Sequence, residues 1–336
     1  MTLYRVAATA ALTLTHTWLD DETPVDPTGT IAVTVIDAAG TQIDSATATA
    51  GPAGSGTATY RLAGQPDPTL LTVTWTATIA GATVVENNVV EVCGGHFFTL
   101  AEGRASDESL SDTARYTTEQ LRGARLEVER ECERITDRAW VARYARVVVD
   151  GVGTDELQLI HPEDDRSVNA VRAIRSVLVA ARPGATPVAL TNTQLAALTV
   201  DELGVVRRTD DIWPDGRALV TVEYVYGEDY PPPDLVRGCL IRLRSRLNLH
   251  RSQVPDRAES FTATSGGTYR LSLPAKYRTG VPEVDAVYAR YSQRGDQNPA
   301  AAGAAGTTTG GGGPTPVSRT FSYDPQWGSL FHGGRR

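Results

Sequence analysis

Five consecutive residues hold four side chains that could bind a metal ion: His161-Pro162-Glu163-Asp164-Asp165. Imidazole nitrogens and carboxylate oxygens ligate zinc and other divalent cations, so these side chains are candidate metal ligands. The same run is typical of a charged turn after a strand, and we favour that interpretation. A metal at His161, Asp164 and Asp165 would instead indicate an enzyme whose site is assembled from scattered residues.

The other residues with catalytic potential have equally plain interpretations. His96 stands beside Phe97 and Phe98 and could be a ligand, but we favour a histidine packed at a domain junction. Asp20-Asp21-Glu22 and Asp210-Asp211 indicate solvated loops. The sequence contains no G-x-S-x-G, GxxxxGK[ST], G-x-G-x-x-G or H-E-x-x-H motif. We therefore predict that the protein is not an enzyme, with no catalytic residue, no metal and no cofactor.

Composition narrows the function classes further. The 336 residues suggest about two or three domains. The formal net charge of -8 argues against a protein that binds nucleic acid over its whole surface, although a local basic stripe is compatible with it. The longest apolar run is far shorter than the ~20 residues of a membrane helix, so no membrane partner is predicted. Cys93, Cys132 and Cys239 are odd in number and far apart, which predicts buried free thiols in a reducing compartment.

Residues 1–95 are predicted to form an antiparallel β-sandwich of immunoglobulin-like architecture. Apolar residues alternate with threonine at period two, which buries one face of each strand. Turn-forming residues separate the strands about every ten residues. Tyr60 and Trp75 are the predicted large core residues. The strands are expected at residues 11–15, 31–35, 57–62, 71–76 and 84–90.

Two amphipathic helices are predicted to frame a connector core over residues 96–295. The first covers about residues 117–137 and begins at Thr117, with Gln120 three positions later as in a capping box. The second covers about residues 234–250. Their apolar positions recur every three or four residues. We expect these side chains to pack the helices within and between subunits: Leu121, Val128, Ile135, Leu235, Leu243 and Leu247.

A β-rich insertion over residues 140–227 separates the two helices. Tyr144–Val149 and Glu156–Ile160 flank Asp150-Gly151, and this arrangement predicts a hairpin. The remaining elements expected in the insertion are strands at Val168–Ala180 and Ala218–Tyr226 and a short helix over Thr193–Leu203. The chain is therefore predicted to be a multidomain α+β protein.

The second helix carries arginines on its polar side, at Arg237, Arg242, Arg244 and Arg246. They could contact DNA phosphate, or they could be solvated or paired with carboxylates of the first helix in this or a neighbouring subunit. We favour the second interpretation because the chain is acidic overall. Steep salt dependence of DNA binding would overturn that choice.

The end of the sequence divides into a linker and an arm. Residues 296–316 are rich in alanine, glycine, threonine and proline, a composition typical of a flexible linker. Residues 317–336 hold large apolar side chains, which is unusual for a segment without a partner. We therefore predict a docking arm whose contacts are Phe321, Tyr323, Trp327, Leu330 and Phe331.

Several segments occur in a distinctive order: a helix, a β-rich insertion, and a Tyr-Gly-Pro step into a final helix. They are Arg138-Ala139-Trp140, Ala145–Gly151, Glu156–Leu159, Val168–Ile174 and Val220–Gly227 before Pro231. This pattern resembles the head-to-tail connector (adaptor) proteins of long-tailed bacteriophages, especially those that infect actinobacteria. The resemblance covers about residues 97–292. The sandwich departs from the minimal adaptor, which is mostly helical, and looks like an added decoration domain.

The resemblance implies a structural virion protein. Adaptors form a ring, commonly a homododecamer, beneath the portal at the capsid vertex, where they extend the DNA channel and offer a platform for the stopper or tail. The implied partners are further copies of this chain, the portal protein, a stopper or tail-completion protein, passing double-stranded DNA and also the major capsid protein. The implied location is the virion neck, after assembly in the host cytoplasm. We expect the arm at residues 317–336 to be the main anchor to the portal.

A surface-binding module is the alternative function, in which the sandwich recognises carbohydrate or a capsid surface. Exposed tryptophan and tyrosine side chains on loops would favour that function, and glycan binding by residues 1–95 would discriminate it from an adaptor. Trp75, however, stands in a strand segment and is expected to be buried.

Overall fold

The computed structural model describes residues 2–162, 167–247, 258–262, 268–271 and 278–292. Residues 1–294 form one compact unit, and residues 295–336 form a second unit that lies outside the described residues. The first unit has mixed α and β structure, and most of its strands pair antiparallel. Three hydrophobic clusters of described residues mark a front lobe (residues 2–93), a β insertion (residues 143–226) and a helical region formed by the helices outside that insertion.

Short strands build the front lobe, and threonine alternates with apolar residues along them. Every second side chain of Leu12–Thr17, for example, is buried, as expected for a sheet with one face in a core. The strands are β1 (Thr2–Ala7), β2 (Leu12–Thr17), β3 (Leu19–Asp20), β4 (Thr23–Pro24), β5 (Thr28–Asp37), β6 (Gln42–Thr47), β7 (Thr49–Ala50), β8 (Thr57–Leu62), β9 (Thr69–Ile79) and β10 (Ala82–Cys93).

Two sheets of the front lobe enclose one core. The five-stranded sheet has the order β1-β10-β9-β5-β6, and the three-stranded sheet has the order β2-β8-β7. Tyr60 and Trp75 are both buried in the shared core, as predicted. β1 pairs with β10 in parallel, so the front lobe is not wholly antiparallel. Its immunoglobulin-like architecture and its boundary at residue 95 stay predictions.

Two helices follow the front lobe, α1 (Leu100–Ala105) and α2 (Thr118–Thr136), with a 3-10 turn over Glu108–Ser111 between them. Each helix begins with a capping box, in which a threonine hydroxyl and the side chain three positions later satisfy free backbone N–H groups. The box of α2 consists of Thr117 and Gln120, as the sequence predicts. The helix ends at Asp137, which has a left-handed conformation with φ 58°.

The β insertion contains two sheets that share a core around the fully buried side chains of Trp213 and Tyr224. A four-stranded sheet has the order β11-β17-β13-β14, and a three-stranded sheet has the order β12-β16-β15. The elements are β11 (Arg143–Val152), β12 (Glu156–Gln158), β13 (Val171–Val179), β14 (Val188–Ala189), α3 (Asn192–Ala196), β15 (Thr199–Val200), β16 (Val205–Arg207) and β17 (Asp215–Tyr226).

The predicted hairpin between Tyr144–Val149 and Glu156–Ile160 is wrong. β11 pairs with β17, and β12 pairs with β16 in the other sheet. The long β11–β17 ladder sets Val147 opposite Val222 inside the core, and this burial outweighs the local turn signal. The predicted helix over Thr193–Leu203 is also too long, because its second half contains β15.

The chain returns from the insertion into α4 (Pro233–Leu247), continues through the antiparallel strands β18 (Ala258–Thr262) and β19 (Thr268–Leu271), and reaches α5 (Pro282–Tyr291). The predicted helix over residues 234–250 corresponds to α4, although residues 248–250 lie outside the described residues. α1, α2, α4 and α5 contribute to one hydrophobic cluster. The insertion therefore separates α2 and α4 in sequence but not in space.

Candidate functional site

Largely buried charged side chains lie where the front lobe, α2 and β11 meet. We name this group the junction network: Arg5, Glu91, Glu129, Glu133 and Arg143. Arg5 Nε lies 2.8 Å from Glu91 Oε2, and Arg5 Nη1 lies 3.0 Å from Glu129 Oε2. Arg143 Nη2 lies 2.7 Å from Glu133 Oε1, and Arg143 Nη1 lies 3.2 Å from Glu91 Oε1. Every carboxylate of the network therefore contacts a guanidinium of the same chain.

Regular secondary structure positions the junction network. Arg5 and Glu91 are direct partners in the parallel β1–β10 ladder, so their side chains project from the same face of the sheet. Glu129 and Glu133 are four residues apart on α2 and share one helix face. Arg143 is the first residue of β11, which lies beside the end of β10 because Gly94 N–H donates to Ala142 O at 2.8 Å.

Two carboxylates of the network, Glu91 and Glu129, stay ionised near neutral pH. Burial alone would raise the pKa of Glu91, but Arg143 and Arg5 outweigh it and hold that pKa at about 2. Burial likewise opposes ionisation of Glu129, yet His96 and Arg5 hold its pKa at about 2. These carboxylates are ordinary partners for arginine and are poorly suited to proton transfer. The geometry therefore favours a network that joins elements together.

His96 extends the network toward α1. Arg125 Nη2 lies 3.0 Å from His96 Nε2, and Arg125 Nη1 donates to Phe98 O at 3.2 Å. Phe97 N–H donates to Glu129 Oε1 at 3.0 Å. His96 thus packs at the junction between the front lobe and the helical region, which confirms the interpretation that the sequence favours.

A cleft of about 720 Å³ borders the junction network on the side of the β insertion. Its walls include Arg138, Arg146 and Tyr226. Arg138 pairs with Glu228, and Arg146 Nε lies 3.0 Å from Glu223 Oε1. The exposed walls of the cleft therefore carry paired charges, like the network beneath them.

His161, the first residue of the run that could bind a metal ion, lines this cleft. His161 Nε2 is 3.2 Å from the hydroxyl of Tyr226. Asp164 and Asp165, the other two residues of the alternative metal site, lie outside the described residues. Among the described residues, no group of three or more His, Cys, Asp or Glu side chains could hold a metal ion.

The apolar helix positions that were predicted to pack subunits lie in the core of the chain itself. Leu247 is half-buried. The other five are buried: Leu121, Val128, Ile135, Leu235 and Leu243. All six belong to the cluster that joins α1, α2, α4 and α5. The structure therefore assigns them to packing within one subunit.

The arginines of α4 mostly face carboxylates of the same chain. Arg242 Nε and Nη2 donate to the two carboxylate oxygens of Glu131 at 2.8 and 3.1 Å. Arg246 pairs with Glu127 of α2. Because Arg242 is only 8% exposed, it offers no surface to DNA or to a neighbouring subunit.

The other two arginines of α4 differ in exposure. Arg237 is largely exposed and lies 3.2 Å from Glu283 of α5, measured between Nη2 and Oε1. Arg244 is half-buried. A contact of either side chain with DNA or with a neighbouring subunit stays a prediction.

The cysteines are buried free thiols, as predicted. Burial raises the pKa of Cys93 and of Cys132, so both stay protonated near neutral pH. The tryptophans of the front lobe, Trp18 and Trp75, are fully buried. The described part of the front lobe therefore lacks the exposed tryptophan that would favour a carbohydrate-binding surface.

The amino-acid sequence alone does not reveal the junction network. Its members occur in segments that look ordinary: Arg5 precedes Val6 in a short strand, and Glu129 and Glu133 belong to a helix with charges on several faces. The one available signal was the pair of carboxylates four residues apart on α2. That spacing is equally typical of a solvated helix face.

The predictions of a flexible linker and a docking arm concern the end of the chain. The linker at residues 296–316 and the arm with Phe321, Tyr323, Trp327, Leu330 and Phe331 lie outside the described residues. No helix in the described ranges is long and apolar enough to cross a membrane.

Comparison with known proteins gives only weak structural similarities, among them a particle neck and CopC. No protein-family model and no curated protein matches the sequence. A chain from the "Neck of empty GTA particle computed with C6 symmetry" matches with a TM-score of 0.32 and 14% identity, over 47% of this chain and 81% of that one. CopC from Methylosinus trichosporium OB3b matches with a TM-score of 0.21 and 15% identity, over 27% of this chain and 84% of that one. Both TM-scores are too low to establish a shared fold.

Proposed function

We propose that this protein is a structural component of the neck of a phage-like particle, where it acts as a head-to-tail adaptor. In this role, copies of the chain form a ring beneath the portal, extend the DNA channel and provide a platform for the tail or stopper. The front lobe is an added domain on the outside of an adaptor core. The protein carries out no catalysis in this proposal and needs no cofactor.

One observation carries the proposal: α2 and α4 pack directly against each other, with the β insertion between them in sequence. Arg242 of α4 binds Glu131 of α2 through two hydrogen bonds, and Leu121 and Leu243 share one buried cluster. This is the order of helix, insertion and final helix on which the resemblance to adaptors rests. A bidentate, buried arginine–carboxylate pair also fixes the relative position of two helices more sharply than apolar contact alone.

The junction network supports the same proposal from a mechanical side. It ties the front lobe, α2 and β11 into one body through largely buried ion pairs. A subunit of a ring repeats each contact around a closing rotation, so a stiff body gives a defined ring size. Fixed ionic contacts suit a load-bearing subunit better than a catalytic one.

The ring is the first consequence to test. Twelve copies of the 35.9 kDa chain have a mass of about 430 kDa. Electron microscopy of the purified full-length chain, alone and mixed with capsids that contain a portal, should show an annulus at the portal vertex. A chain that stays monomeric in both samples and never associates with the vertex would contradict the proposal.

The docking arm is the second consequence. Deleting residues 314–336 should abolish capsid attachment while the near-UV circular dichroism of residues 1–294 is kept, because the apolar side chains of the arm are removed. A matched control deletes residues 307–313, which shortens the linker and keeps the arm. Attachment that is equal in both deletion variants would contradict the assignment of the arm as anchor.

A further inference from the structure

His96 lies in the connection, defined here as residues 94–99, which links the end of β10 to the start of α1. Two of its contacts reach α2. Phe97 N–H donates to Glu129 Oε1 at 3.0 Å, and the ring of His96 meets Arg125. The side chain of His96 is 17% exposed, and Glu129 has no exposed surface. The imidazole therefore sits between the front lobe and the helical region.

The partner of Nε2 fixes the protonation state of the ring. Arg125 Nη2 lies 3.0 Å from His96 Nε2, and a guanidinium can only donate hydrogen bonds. Nε2 must therefore accept, and the single ring proton must reside on Nδ1. Nδ1 in turn faces Glu129 Oε1 at 3.6 Å. The observed arrangement is that of a neutral imidazole.

Charged and titratable groups from α2 and β1 face this ring. α2 contributes Arg125 and Glu129, and β1 contributes Arg5. Tyr4 of β1 and Glu119 and Arg122 of α2 line the same cavity as His96. Two guanidiniums and one carboxylate thus surround the imidazole. A second positive charge on the ring would be repelled by both arginines.

We propose that His96 is an acid-sensitive latch, which holds the connection against α2 while its ring is neutral and releases it when Nε2 binds a proton. Protonation turns the acceptor at Nε2 into a donor. The protonated ring of His96 and the guanidinium of Arg125 are then both cations and both hydrogen-bond donors, so they repel each other. The proton comes from solvent, because His96 lines a cavity of about 210 Å³ that extends between β1 and α2.

The direction of the pH response follows from the environment of the ring. Burial, together with the charges of Arg125 and Arg5, lowers the pKa of His96 from its ordinary value of 6.5, although Glu129 acts in the opposite direction. The latch is therefore closed at neutral pH and opens as the pH falls below that lowered pKa. Glu91 and Glu129 stay ionised throughout this range, so the opening is separate from acid unfolding of the junction network.

Hydrogen–deuterium exchange of the full-length chain tests the latch. Protection factors, corrected for the intrinsic exchange rate at each pH, are compared at pH 7.5 and at one pH unit below the His96 pKa. The peptide that covers residues 94–99 should lose about tenfold in protection. Peptides from β9, which lies in the core of the front lobe, should keep their protection. Equal protection of residues 94–99 at both pH values would overturn the proposal.

Two variants separate His96 from other titrating groups. His96→Gln keeps an acceptor for Arg125 but does not titrate, so protection of residues 94–99 should be high at both pH values. His161→Gln is the matched control and should keep the wild-type response. An unchanged pH response in His96→Gln would also overturn the proposal.

A nuclear magnetic resonance titration of the wild-type protein covers the case in which His96→Gln does not fold. The midpoint of the His96 Cε1–H chemical shift should coincide with the midpoint at which residues 94–99 lose protection. Two clearly different midpoints would assign the opening to another group and overturn the latch.

Discussion

Arg5 and Glu129 are 124 positions apart in sequence, yet Arg5 Nη1 lies 3.0 Å from Glu129 Oε2 in a buried ion pair. The other oxygen of Glu129 accepts from the backbone N–H of Phe97. One carboxylate therefore holds the first strand of the front lobe, the connection and α2. This arrangement makes Glu129 the most informative position for mutation.

Glu129→Gln should destabilise the chain by about 3 kcal/mol or more, because it leaves Arg5 buried with one fewer carboxylate. Urea unfolding followed by tryptophan fluorescence measures the change in the free energy of unfolding. Glu127→Gln, two residues away on the same helix, is the matched control. The Glu127 side chain is 63% exposed, so the cost should be at most about 1 kcal/mol. Equal costs for the two variants would contradict a special role for the buried pair.

Acid should destabilise the junction network in a defined window. The pKa values of Glu91 and Glu129 are about 2, against an ordinary value of 4.5. A depressed carboxylate pKa contributes stability that is complete above about pH 4.5 and is lost as the pH falls toward 2. The midpoint of urea unfolding should therefore drop steeply over this interval. In the double variant Glu91→Gln/Glu129→Gln, the urea midpoint should fall much less over the same pH interval. A fall as steep as in the wild-type protein would show that other groups cause the acid destabilisation.

Gly94 and Gly95 should respond differently to the same substitution. A Cβ at Gly94 would lie 2.8 Å from the Cβ of Ala142, whereas a Cβ at Gly95 meets no atom within 4 Å. Gly94→Ala should therefore cost about 1–3 kcal/mol through overpacking between β10 and β11. Gly95→Ala should leave the melting temperature nearly unchanged. Similar melting temperatures for both variants would indicate that β10 and β11 are not in close contact.

Asn88 should matter chiefly through Trp75. Trp75 Nε1–H donates to Asn88 Oδ1 at 2.7 Å in the core of the front lobe. Asn88→Ala leaves that indole donor buried without a partner, which should cost about 1–3 kcal/mol. In a background that carries Trp75→Phe, the same Asn88 substitution should cost clearly less. A double-mutant cycle measured by chemical unfolding checks the coupling, and additive costs would contradict it.

Local patterns predicted the elements whose stability is largely local. The capping box of Thr117 and Gln120 and the helical spacing after it gave α2 within one residue at each end. The alternation of threonine with apolar residues gave the strands of the front lobe that contain Tyr60 and Trp75. In these segments intrinsic preference and burial favour the same structure, so the pattern is a sufficient guide.

Long-range pairing decided the elements that the patterns missed. Asp150-Gly151 is a common turn signal, but β11 continues through it to pair with β17, where Val147 meets Val222. Arg5 could not be assigned a partner, because Glu91 and Glu129 lie far along the chain. No local rule contains that information. The candidate site is composed of such distant pairs, which is why less of it could be predicted than of the fold.

The parallel pairing of β1 with β10 has a mechanical consequence. Six residue pairs, from Thr2 with Asn88 to Ala7 with Cys93, connect the two strands. Tension applied between Thr2 and Gly94 pulls on opposite ends of the two parallel strands. The hydrogen bonds between the strands are then loaded in shear, and all of them bear the force at the same time. The front lobe should therefore resist stretching along this axis far better than a hairpin, whose hydrogen bonds break one at a time when its two ends are pulled apart.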